Sequence, residues 1–257
     1  MTDSERRVEL EIEVPGTPEQ VWDAIATGPG ISAWLHPTTV EEHEGGTFTF
    51  DMGGGPASGT VAGWDPPHRF VQESEWTPVS APPARLATEW LVEAREGGTC
   101  VVRMVMTGFG DSTSWDEEID GMADGMRSAL EHLRLYLTWF PGQRGTWIRV
   151  HGPAAGDAWA RIVKGLGIVD PQVGERVETT GPSFAGVVER AAPSRWGHDL
   201  LVRTDRPAPG FVNVFALGSW AGIEAVFFGD EGAAAADRER PGWAAWVAGH
   251  LPAGGNA

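Results

Sequence analysis

Apolar and acidic positions alternate near the start of the chain, where Val8, Leu10, Ile12 and Val14 are separated by Glu9, Glu11 and Glu13. A period of two puts successive side chains on opposite faces of a strand, so this segment reads as a half-buried strand with a carboxylate face. In the following Pro15-Gly16-Thr17-Pro18-Glu19-Gln20, Thr17 suits a helix N-cap, Pro18 the first helical position and Gln20 the return arm of a capping box. A helix burying Val21, Trp22 and Ile25 is expected there, broken by Gly28-Pro29-Gly30, with a second short turn over 31–35. Strand-like runs at 47–52, 59–64, 69–76, 86–94 and 99–107 follow, separated by glycine- and proline-rich turns, and imply an antiparallel meander. Ser114-Trp115-Asp116-Glu117 is a second capping box. Beyond it Ile119, Met122, Met126, Leu130, Leu133, Leu137 and Phe140 recur every three or four residues, which predicts a long amphipathic helix ending at Pro141-Gly142.

The second half repeats the opening of the first. Val21 to Ile31 aligns without gaps on Ala158 to Ile168, with Trp22 on Trp159, Ile25 on Ile162, Gly28 on Gly165, Gly30 on Gly167 and Ile31 on Ile168. Ile148 and Val150 precede it as a strand would, and Gly186, Val188 and Pro193 fall where Gly59, Val61 and Pro66 lie in the first half. Further strands are expected at 211–217 and 223–228, and a short closing helix at 241–251. The chain therefore reads as two tandem units, residues 1–142 and a degenerate second copy at 143–257.

Charge narrows the partners. The net charge is −17, with 8 basic and 24 acidic residues up to Phe140 against 11 and 12 after it. Nucleic acid is excluded as a partner by the absence of the clustered cations that bind a phosphate backbone. No apolar run is long enough for a membrane span, and the charged start does not read as a secretory signal, so a cytoplasmic protein is expected. The single cysteine, Cys100, has no disulfide partner in the chain.

Specific motifs carry a family resemblance. Pro18-Glu19-Gln20-Val21-Trp22-Asp23-Ala24-Ile25, Trp34-Leu35, Gly45-Gly46-Thr47-Phe48-Thr49-Phe50, Gly59-Thr60-Val61, Asp65-Pro66-Pro67-His68-Arg69, Gly97-Gly98-Thr99 and Thr107-Gly108-Phe109 occur in this order. In order and spacing residues 8–140 resemble the START-like, or SRPBCC, superfamily, in the branch related to the activator of the Hsp90 ATPase. The resemblance implies an α+β helix-grip fold, a curved antiparallel sheet around a long C-terminal helix, with space between them for an apolar or aromatic small molecule. Met104 and Met106 share one strand face and Met122 and Met126 one helix face, and these faces should meet. Adaptable methionines there, with Trp64 and Trp90 and beside them Trp76 and Trp115 as aromatic walls, are the expected ligand-binding set. The competing reading is that they simply fill the core.

Chemistry is sparse. Gly181-Pro182-Ser183-Phe184-Ala185 lacks the last glycine of a nucleophile elbow, and Met52-Gly53-Gly54-Gly55-Pro56 lacks the ending of a phosphate loop. The histidines show no metal-binding spacing, so neither a catalytic centre, a metal nor a cofactor is expected. Two alternatives come from the resemblance: a co-chaperone-like regulator that meets an Hsp90-type ATPase through the first unit, and a polyketide cyclase or aromatase with Arg103, His36 or Tyr136 as its polar groups.

Overall fold

The computed structural model describes residues 4–51, 56–76, 84–110, 113–154, 156–194 and 197–251. They form two compact units that divide between Arg144 and Gly145, two residues beyond the boundary read from the sequence. The turn expected at Met52 to Gly55, the Trp76 side chain and the side chains of the expected capping box Ser114 to Glu117 lie outside the described residues.

The first unit opens with β1 (Ser4–Pro15), α1 (Pro18–Ala26) and α2 (Gly28–Trp34). The capping box is complete: the Gln20 amide donates to Thr17 Oγ1 at 3.4 Å and the Thr17 amide donates to Gln20 Oε1 at 3.0 Å. α1 ends before Gly28-Pro29-Gly30 as expected, and the second helix starts earlier than the 31–35 read from the sequence, with this tripeptide as its first turn. Thr27 ends α1 and caps α2, its Oγ1 accepting from the Gly30 amide at 3.1 Å. Gly30 suits that turn because a Cβ there would lie 1.8 Å from the Asp23 carbonyl oxygen.

Six more strands follow: β2 (Thr38–Val40), β3 (Thr47–Asp51), β4 (Pro56–Asp65), β5 (Arg69–Trp76), β6 (Ala84–Arg95) and β7 (Thr99–Gly110). The sheet order is β1-β7-β6-β5-β4-β3-β2, antiparallel throughout. The 27-residue α3 (Thr113–Trp139) packs on it, chiefly against β1, where Arg6 pairs with Asp120 at 3.3 Å. This is the α+β helix-grip fold.

The second unit contains β8 (Gly145–Pro153), α4 (Ala158–Leu166), β9 (Arg176–Glu178), β10 (Ala185–Ser194), β11 (Gly197–Arg206), β12 (Gly210–Leu217), β13 (Trp220–Phe228) and α5 (Gly229–His250). Its sheet order, β8-β13-β12-β11-β10-β9, has the plan of the first, with the opening strand paired to the last and the others in sequence. The closing helix corrects the sequence reading. It spans 22 residues with Pro241 inside it, because the alanine run 233–236 favours helix without showing any apolar period. Among the described residues no helix is long and apolar enough to cross a membrane.

Candidate functional site

Register decides which side chains face α3. Val61, Gln72, Thr88, Met106 and Val8 stand opposite one another across five strands, and Trp64, Phe70, Trp90, Met104 and Leu10 form the next such row. Side chains along a row share one face. Between this face and the helix lies a cavity of about 360 Å³.

Its walls come from four places. The sheet contributes Met104, Met106, Trp90 and Leu86, with Phe48 and Phe50 from β3. Helix α3 contributes Met122, Gly125, Met126 and Ala129, spaced three and four apart so that one stripe faces inward. Ile25 and Ile31 enter from the paired short helices, together with Trp34. The indole N–H of Trp34 donates to the Ala24 carbonyl at 2.9 Å, and its ring meets Trp90 edge-on with centroids 6.2 Å apart.

Of the six residues read from the sequence as a ligand-binding set, the cavity gathers Trp90, Met104, Met106, Met122 and Met126. Trp64 stands apart. A register shift between Val61 and Gly63 inserts Ala62, which turns Trp64 to the same face as Phe70. At that end of the sheet α1 covers the face, and Trp64 packs on Trp22 and Phe70 with centroids 5.0 and 5.4 Å away. It belongs to the core beside the cavity.

The groups considered for a cyclase also separate. Arg103 is on the opposite sheet face, paired with Glu9 and Glu11 at 3.1 Å each. Tyr136 is buried away from the cavity, where its hydroxyl accepts from the Gly142 amide at 3.1 Å, and burial raises its pKa above the usual phenol value. His36 does line the cavity, with Nδ1 3.0 Å from Thr38 Oγ1 and its ring against Phe50.

Sequence reasoning missed the polar floor. Gln72 and Ser74 on β5 and Thr88 on β6 face the cavity from positions where the strand pattern calls for apolar residues. Period two along Phe70, Gln72 and Ser74 already places them on the buried face. Among the described lining residues there is no Asp, Glu, Lys or Arg, and His36 is the one titratable group among them. Among the described residues no group of three or more His, Cys, Asp or Glu is gathered to hold a metal ion.

Residues 15–138 match the family described as activator of Hsp90 ATPase homolog 1-like protein. The matched stretch lies within the first unit. The chain is similar to protein MLL2253 from Mesorhizobium loti, with 20% identity over 52% of this chain and 98% of that one and a TM-score of 0.48. It is similar also to the Aha1 dimer from Colwellia psychrerythraea, with 18% identity over 51% and 96% and a TM-score of 0.41. The whole chain is similar to the di-domain ARO/CYC BexL from the BE-7585A biosynthetic pathway, with 17% identity over 97% and 100% and a TM-score of 0.46. No curated protein matches the chain.

Proposed function

We propose that the first unit is a non-catalytic cytoplasmic binding protein for an apolar or aromatic small molecule, held between its sheet and α3. The observation that carries this reading is the cavity of about 360 Å³ with methionines on both of its facing walls. A volume of this order, mostly apolar with a few polar groups, is the usual form of a small-molecule site. Unbranched thioether side chains adapt to guests of differing outline and make favourable contacts with aromatic rings. A site without fixed charge or a nucleophile–base pair suits holding better than turnover.

The second unit lacks the same signature. Phe184 and Phe227 each lie 6.1 Å from Trp243 between centroids, so aromatic rings occupy its interior where the first unit has methionines and small residues.

The test is thermal shift and native mass spectrometry of the full chain against a library of neutral aromatic and lipid-like compounds. A guest present at a hundredfold excess over its Kd stabilises the folded state by about 2.7 kcal/mol. The expected result is a set of such hits in the wild type that Ala129→Phe, folded by circular dichroism, no longer takes. Failure of every compound to bind, with nothing co-purifying, would overturn the proposal.

A further inference from the structure

Trp90 Nε1 and Gln72 Oε1 are 3.4 Å apart on neighbouring strands, and both side chains face the cavity. An indole N–H only donates, so it selects the oxygen end of the Gln72 amide. The NH₂ end, with its two donors, is thereby left for the cavity, and among the described residues nothing accepts from it. Ser74 sits one inward position further along β5, and Thr88 stands directly opposite Gln72 on β6. Neither hydroxyl has a protein partner among the described residues, and both line the same cavity.

Three polar side chains thus form one patch on the β5–β6 part of the wall, with the amide donors in its middle. Donors that face a cavity lined with methionine and aromatic rings are satisfied by water or by an acceptor on the guest. A hydrophobic isostere that lacks the acceptor must leave them unpaired, which is how one buried polar group discriminates between guests of the same shape.

We propose that Gln72, oriented by Trp90 and flanked by Ser74 and Thr88, is a carbonyl-recognising subsite. The guest is a flat, uncharged, largely apolar molecule that carries a ketone or comparable acceptor oxygen on one edge. The inference rests on the carrier reading and adds the part of the guest that the site reads. Trp90 is a positioning residue and Gln72 makes the contact.

Fluorene and 9-fluorenone share a ring skeleton and differ at the carbonyl, which makes them the probes. In the full chain, Gln72→Met keeps length and volume but removes the donors, and Gln72→Glu puts acceptor oxygen where the donors were. The fluorenone-to-fluorene affinity ratio should fall about fivefold in Gln72→Met, the worth of one net hydrogen bond, and at least as far in Gln72→Glu. The infrared carbonyl band of bound fluorenone should lie below its position in an alkane solvent and return toward it in Gln72→Met. If both probes bind but the ratio and band are the same in wild type and variants, the carbonyl subsite is wrong and the carrier reading stands. If neither probe nor any library compound binds, both fail.

Discussion

The indole rings of Trp22 and Trp64 meet edge to face, 5.0 Å between centroids at 71°, and Phe70 completes the cluster against both. Edge-to-face pairs add to the gain from burial. This cluster fills the space under α1 with rings, and in the neighbouring row Gln72 and Thr88 stand where this row has Phe70 and Trp90. Truncating Trp22, which is buried, should therefore destabilise the first unit by about 3–5 kcal/mol. Urea titration of Trp22→Ala measures this, and a loss below about 1 kcal/mol would show that the cluster does not support the fold.

Gly59 is the second structural point. A Cβ there would lie 2.2 Å from the Glu73 carbonyl oxygen and 2.6 Å from the Phe48 ring, which lies over the glycine on the inner face. Gly59→Ala should cost about 1–3 kcal/mol as overpacking. It should also displace Phe48 from the cavity wall, visible as an altered thermal-shift profile.

Gly125 is the reverse case. It sits inside α3 on the cavity stripe, and a Cβ there would meet nothing within 4 Å. Gly125→Ala should stabilise the helix by up to about 1 kcal/mol. Gly125→Leu should also fold, with a reduced capacity for guests; unchanged binding by native mass spectrometry would place the guest away from this stripe.

In the second unit Glu224 lies opposite Arg149, with Nε to Oε1 at 3.8 Å. Burial raises its pKa above the usual carboxylate value, and the charges of Arg149 and His151 offset this only in part. The folded state thus holds this proton to a higher pH than the unfolded chain does. Its contribution to stability is complete below the ordinary glutamate value and is lost as pH rises through the raised folded value. Urea midpoints measured from mildly acidic to neutral pH should fall less steeply in Glu224→Gln than in wild type. Equal slopes would show that Glu224 does not carry the effect.

How much of this was legible in the sequence varied with the kind of signal. The capping box at Thr17 and Gln20, the alternation from Val8 to Val14 and the three- and four-residue spacing along α3 are local, and each appears where it was read. The five cavity residues Trp90, Met104, Met106, Met122 and Met126 came from combining two such periods with the order of elements. Trp64 is on the inner face, but α1 covers its end of the sheet and Trp22 packs on its ring, a contact that no local period records. β2 is only three residues long and α5 begins in an alanine-rich stretch without apolar rhythm, so neither left a pattern to read. The role of Gln72 depends on Trp90, eighteen residues away, and only the strand register brings that donor to it.

The central claim is that sheet and helix enclose a guest among four methionines. Methyl-¹³C-methionine labelling of the full chain reports on them directly, because an aromatic ring in van der Waals contact shifts a methyl resonance by its ring current. Titration with 9-fluorenone should move the Met104, Met106, Met122 and Met126 signals together along one binding curve. Saturable binding that leaves all four unmoved would contradict the account.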